Sequence, residues 1–212
     1  MDADFWHSKW EKNEIGFHQN KPNDLFTRHF DRLDLTPGAR VFLPLCGKTL
    51  DIGWLLSKGY TVAGAELNES AIRQLFEGLK LTPHVSAVGP LIQYSAPGID
   101  IFVGDIFDLD AKLLGTVDAV YDRAALVALP TEMREKYARH LPEITQAAPQ
   151  LLITLDYDQA EMKGPPFAID EAEVRRLYSA AFQIDLLEKA DASGSLKKDI
   201  RVHQAAWHLQ PR

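Results

Sequence analysis

From Thr36-Pro37-Gly38 onward, short apolar runs alternate with amphipathic segments along the chain. Residues 40–44, 61–65, 99–104, 117–121 and 151–155 form strand-sized apolar runs, whereas 49–58, 69–79, 131–141 and 170–181 carry helical periodicity. Such alternation predicts a mainly parallel sheet with helices on both faces. Two closing strands, 183–188 and 201–208, are joined by residues 189–198, which show no helical pattern and therefore predict an antiparallel hairpin. The expected architecture is thus an α/β fold with a seven-stranded mixed sheet. Residues 91–95 read as an extra strand paired with 99–104 through the turn Ala96-Pro97-Gly98.

The first 36 residues differ from the rest. They hold Phe5, Trp6, Trp10, Phe17, Phe26 and Phe30, with one helix expected around 23–31. These aromatics fit either a core role, the commoner fate of such side chains, or a segment folded over a ligand.

Composition narrows the class. With 46% hydrophobic and 25% charged residues, the balance is that of a soluble globular protein. No apolar stretch approaches the ~20 residues of a membrane span, and the N-terminus lacks the basic and apolar regions of a secretion signal. Cys46, the single cysteine, cannot form an internal disulfide and suits a reducing compartment, so cytoplasm is expected. A net charge of −7 with no basic run argues against nucleic acid and for a small-molecule partner. With no large apolar stripe on the surface, a monomer is expected.

Ligands of doubly wound sheets bind at the carboxyl ends of the strands. There the first strand runs into Leu45-Cys46-Gly47-Lys48-Thr49. Only Gly47 stands where a dinucleotide-binding turn needs several glycines, and Phe42 occupies the position of the first P-loop glycine. A pyrophosphate is disfavoured, and a nucleoside without phosphate is favoured. Glu66 ends the second strand; an acid there can accept hydrogen bonds from both ribose hydroxyls, or merely cap the helix that follows. Asp105 followed by Ile106 at the next strand end suits an adenine ring, while an N-cap role for Asp105 is equally compatible. Arg123, at a fourth strand tip, either meets a substrate or faces solvent. The seven histidines show no metal-binding spacing, so no metal is expected. Asp156-Tyr157-Asp158 borders an acceptor pocket or forms a polar loop, and Gly164-Pro165-Pro166-Phe167 reads as a rigid loop over the sheet edge.

Several segments together resemble the bacterial thiopurine S-methyltransferases. They are Phe5-Trp6-His7 through Trp10, Gly16-Phe17-His18-Gln19, Leu43-Pro44-Leu45-Cys46-Gly47-Lys48, Glu66-Leu67, Gly104-Asp105-Ile106-Phe107 and Tyr121-Asp122-Arg123-Ala124-Ala125. The resemblance covers essentially the whole chain and implies a single Rossmann-like methyltransferase domain over 1–212. Residues 1–36 would form a lid over the cofactor and 37–212 the core.

It also implies S-adenosylmethionine as methyl donor, S-adenosylhomocysteine as product, and small aromatic or heterocyclic thiols as acceptors, with selenium and tellurium species alongside. Trp10, Leu45, Glu66, Ile106 and Arg123 would bind the donor, and Phe17 would border the substrate. No covalent nucleophile is expected, and no catalytic residue is assigned. The rival on the same fold is a halide or bisulfide methyltransferase. A nucleic-acid N-methyltransferase is disfavoured, because Tyr-Asp-Arg-Ala stands where such enzymes carry Asn/Asp-Pro-Pro-Tyr.

Overall fold

A computed structural model describes residues 3–196 and 199–212. Its one sheet holds nine strands: β1 (Arg40–Leu43), β2 (Thr61–Glu66), β3 (His84–Val88), β4 (Leu91–Ala96), β5 (Ile99–Val103), β6 (Ala119–Arg123), β7 (Gln150–Asp156), β8 (Phe182–Asp191) and β9 (His203–Pro211). Their spatial order is β3-β4-β5-β2-β1-β6-β7-β9-β8. The five central strands are parallel, whereas β3, β4, β8 and β9 pair antiparallel to their neighbours.

The expected extra strand is β4, paired with β5 as anticipated. The count rises from seven to nine because β4 is joined by β3, an edge strand not expected from the sequence. Only one flank of β3 is hydrogen bonded, and its residues are exposed or half-buried, so His-Val-Ser-Ala-Val carries little apolar signal. The expected loop over 189–198 also shortens, since β8 continues to Asp191; Lys197 and Lys198 lie outside the described residues.

Among the described residues seven α-helices accompany the sheet: α1 (Ala3–Glu11), α2 (Asp24–His29), α3 (Leu50–Ser57), α4 (Glu69–Leu79), α5 (Ala111–Leu114), α6 (Thr131–Thr145) and α7 (Glu171–Tyr178). Strand geometry sends alternate side chains to opposite faces, and β1 shows the result. Val41 and Leu43 join the core under α2, α3 and α4 with Phe26, Ile52, Leu55 and Phe76. Phe42 joins the core under α5, α6 and α7 with Leu114, Tyr137, Leu141 and Val174. Because α2 is embedded in this packing, of the first 36 residues only those before it are free to stand over the sheet's end.

The chain leaves β1 toward β2 and β5, then returns to place β6 on the other flank of β1. That reversal opens a crevice at the strand ends, which is where ligands of such sheets lie.

Candidate active site

A cavity of about 470 Å³ occupies this crevice, within the range of small-molecule sites. Trp10, Phe17, Leu45, Glu66, Ile106 and Arg123, six residues separated widely in sequence, all line it.

The turn after β1 forms one wall. Leu45 (φ 47°) and Gly47 (φ 52°) both take left-handed backbone, a strained choice for leucine that folds the turn back on the strand end. A Cβ on Gly47 would lie 3.2 Å from Cζ2 of Trp10, so the missing side chain lets the indole rest on the turn. Cys46 is buried behind the turn, and burial together with the neighbouring Glu66 pushes its thiol far above the ordinary range. A thiol so raised is a weak nucleophile at neutral pH.

Glu66 closes the floor. It is only 7% exposed, its Oε2 accepts from Gly47 N at 2.7 Å and its Oε1 from Asn68 N at 2.9 Å. No Lys or Arg pairs with it among the described residues. Burial raises its pKa above the carboxylate norm, while the backbone N–H groups of Asn68, Gly47 and Leu67 restrain the rise. The helix that follows is capped by Asn68, whose side chain accepts from Ala71 N at 3.3 Å. Capping therefore does not account for the buried Glu66. Each of its oxygens keeps acceptor capacity after one backbone bond.

Asp105 caps a short 3₁₀ turn through Phe107 N (3.0 Å), as one of its two readings has it, and also borders the cavity. Ile106 is buried beside it, with its carbonyl accepting from His140 Nε2 at 2.9 Å.

The N-terminal segment supplies the opposite wall. It begins as the helix α1, in addition to the one helix expected around 23–31, and its aromatics pack edge-on: the rings of Trp6 and Trp10 lie 5.8 and 5.6 Å from that of Phe17. Arg123, at the tip of β6, donates to the Phe17 carbonyl at 2.9 Å and forms no ion pair with a carboxylate among the described residues.

Two buried acids escaped the sequence reading. Asp51 is 1% exposed and lines the cavity floor, accepting from Asn23 N (2.7 Å), Tyr121 Oη (3.0 Å) and Thr49 Oγ1 (2.9 Å). It ties α2, α3 and β6 together. Asp122, on the reverse face of β6, accepts from Tyr137 Oη (2.6 Å) and Leu126 N (3.1 Å) and so anchors the turn beyond Arg123. An acid between two residues facing the cavity must, by strand alternation, point into the helix-covered core; that was the available signal.

Burial raises the Asp122 carboxyl to about 6, whereas an unfolded Asp titrates near ~3.9. The folded state therefore holds this proton more tightly. The resulting stability is complete below the unfolded value and lost as pH rises through about 6, a swing of about 3 kcal/mol. Asp122→Asn is expected to flatten this rise of melting temperature on acidification between roughly pH 7 and pH 4. Thermal denaturation across that range checks it; an unchanged slope would place the titration elsewhere.

Asp156, Tyr157 and Asp158 turn away from the cavity. Asp156 pairs with Lys189 (2.5 Å), Tyr157 Oη donates to the Pro166 carbonyl (2.5 Å), and Asp158 caps a 3₁₀ turn at Ala160 N (2.9 Å). Pro165 and Pro166 of the neighbouring loop do line it. Among the described residues no group of three His, Cys, Asp or Glu side chains is placed to hold a metal ion, and no helix is long and apolar enough to cross a membrane.

The family model "Thiopurine S-methyltransferase (TPMT)" matches residues 1–210. The chain belongs to the thiopurine S-methyltransferase family. It is 49% identical to a thiopurine S-methyltransferase of Xanthobacter autotrophicus over 99% of both chains. With that of Gluconobacter oxydans it shares 48% over 99% of this chain and 96% of the relative. Among solved structures, a SAM-dependent methyltransferase from Anabaena variabilis superposes with a TM-score of 0.66 at 14% identity, covering 99% and 95% of the two chains. Magnesium protoporphyrin IX methyltransferase from Synechocystis, bound to S-adenosylhomocysteine, does so at 0.59 and 15%, covering 98% and 97%. At these identities the likeness shows the fold, the Rossmann-like sheet of the S-adenosylmethionine-dependent methyltransferases.

Proposed function

We propose that the cavity binds S-adenosylmethionine across the ends of β1, β2, β5 and β6, and that the chain methylates the sulfur of small aromatic and heterocyclic thiols, thiopurines among them. The observation that carries the reading is Glu66: a buried carboxylate without a cation, fixed by two backbone N–H groups and presenting its spare lone pairs to the cavity. That is the acceptor a ribose diol requires. The fit extends to the turn, where the N–H groups of Cys46, Gly47 and Thr49 are already engaged, leaving no run of free amides for a pyrophosphate.

In this reading Ile106 and Asp105 flank the adenine, Leu45 and Trp10 enclose the donor, and Arg123 faces the reacting end. Phe17 borders the acceptor. Residues 3–19 cover the site, held down by the contact of Arg123 with Phe17. Bound S-adenosylmethionine supplies an electrophilic methyl carbon on a sulfonium. The protein's work is then alignment and exclusion of water, effects that contribute roughly 7–11 kcal/mol in favourable cases. Aromatic faces near a sulfonium add on the order of 0.5–2 kcal/mol. We place the protein in the cytoplasm as a monomer, its lone cysteine reduced.

A screen with methyl-labelled S-adenosylmethionine across heteroaromatic thiols, alkyl thiols, bisulfide, halides, selenium and tellurium compounds tests the assignment. The highest kcat/KM is expected with a heteroaromatic thiol; a preference for halide or bisulfide would transfer the chain to that class of acceptor.

A further inference from the structure

His18 follows Phe17, whose carbonyl holds Arg123, and its half-buried imidazole lines the cavity. Neither ring nitrogen hydrogen-bonds to any of the described residues. Two cations face it, Lys48 from the turn after β1 and Arg123 from the tip of β6. Lys48 donates to Gln74 Oε1 (2.7 Å) and stands over the Trp10 ring, so neither cation is neutralised by a carboxylate. The acids that share the cavity are already engaged. Glu14 pairs with Lys9 (2.5 Å), Glu66 takes two backbone donors, Asp51 takes one backbone and two hydroxyl donors, and Asp105 takes the Phe107 N–H.

A thiol entering this cavity meets two unneutralised cations and one free imidazole. The cations favour its thiolate form. Burial, then Lys48 and Arg123, holds the His18 pKa below its ordinary value, which leaves the ring neutral at pH 7 with a lone pair to offer.

We propose that His18 is the general base for acceptors whose thiol is still protonated at neutral pH, so that the site serves alkyl thiols as well as ionised heteroaromatic ones. This role rests on the sulfur methylation proposed above. The S–H bond breaks as its proton passes to the free imidazole nitrogen, and the sulfur electron pair forms the new S–C bond. The methyl carbon's former bond breaks with its electron pair left on the donor sulfur. The imidazolium then returns its proton to solvent. One thiol and one sulfonium cation give two thioethers and one proton.

The test is the pH profile of kcat/KM with an alkyl thiol titrating near ~8.5, for the intact protein and for His18→Asn. With His18 as base, the profile is flat between the histidine and thiol titrations. Without it, the rate follows the thiolate fraction and climbs tenfold per pH unit, lying about 30-fold lower at pH 7. A second readout is independent of turnover. The imidazole resonance that disappears in His18→Asn is expected to titrate at higher pH once S-adenosylhomocysteine and the thiol are both bound, because the bound thiolate favours imidazolium. A plateau that survives in His18→Asn, an intact protein whose rate itself climbs tenfold per unit, or a resonance unmoved by the thiol each overturns the role. An intact protein that methylates no thiol at all overturns sulfur methylation itself, an outcome distinct from these three.

Discussion

Glu66→Ala is expected to weaken S-adenosylhomocysteine binding by roughly a hundredfold or more while leaving the melting temperature nearly unchanged. The size follows from the hydrogen bonds lost. Two ribose hydroxyls donating to an ionised carboxylate are worth about 1.5–3 kcal/mol each, and about 1.4 kcal/mol is a factor of ten. The small effect on stability has a separate cause. Glu66 carries a buried charge that no cation balances, and burial already raises its pKa, so its removal relieves a desolvation cost. Of the two N–H groups it leaves behind, that of Gly47 borders the cavity, where water replaces the lost acceptor, while the unmet N–H of buried Asn68 offsets part of that relief.

A pH dependence follows with a definite sign. Hydroxyl donors favour the ionised form, so binding should weaken as pH falls through the raised Glu66 pKa, and this dependence should vanish in the variant. Isothermal titration of both proteins, with thermal denaturation alongside, checks all three outcomes. Affinity retained within threefold would remove Glu66 from the donor site.

How far the site was legible depended on what each residue's neighbours do. Glu66 could be found because a buried parallel strand reads as an unbroken apolar run, and the acid that ends it stands out. The paired sheet centre was readable for the same reason. Asp51 could not be found: an acid in the first turn of a helix ordinarily faces water and the helix dipole, and only the fold brings Asn23, Thr49 and Tyr121 around it. The helix α1 was missed on similar grounds. Its side chains are half-buried or exposed except Trp10, so no continuous apolar stripe marks it. What holds it is Trp10 on the distant Gly47 and the ring contacts of Phe17, which lies beyond the helix's end, so neither shows in the helix's own periodicity.

The fourth strand shows a subtler miss. Its apolar run suggested 117–121, but the strand spans Ala119–Arg123. The shift places Asp122 and Arg123 inside a ladder with β7, at Leu152 and Ile153, and fixes which face each side chain takes. Apolar content marks where a strand is buried; hydrogen bonding to a neighbour decides where it ends.

That ladder makes Arg123 the second residue whose loss should be severe. Arg123→Ala is expected to lower kcat/KM for a heteroaromatic thiol by about 100-fold, whereas Cys46→Ala keeps most of the activity. A half-buried guanidinium without a carboxylate partner costs desolvation that no ion pair returns, so its charge is available to a bound anion. Removing one partner of a desolvated charge interaction typically costs about 2–5 kcal/mol, and about 2.8 kcal/mol within that range gives the expected 100-fold loss. The substitution also deletes the hydrogen bond to the Phe17 carbonyl, which loosens the N-terminal cover and admits water.

Arg123→Lys separates these contributions. It retains the charge but not the planar fork, so kcat should recover further than donor-product affinity if charge beside the thiolate dominates. If closure dominates, kcat and affinity should stay equally low. Cys46 is the control because its thiol, pushed up by burial, is expected to contribute only volume behind the turn. Steady-state kinetics of the three variants, each checked for folding and for S-adenosylhomocysteine binding, decide the matter. An inactive Cys46→Ala that still folds and binds would mean that the sulfur does chemistry, and an active Arg123→Ala would mean that alignment alone suffices.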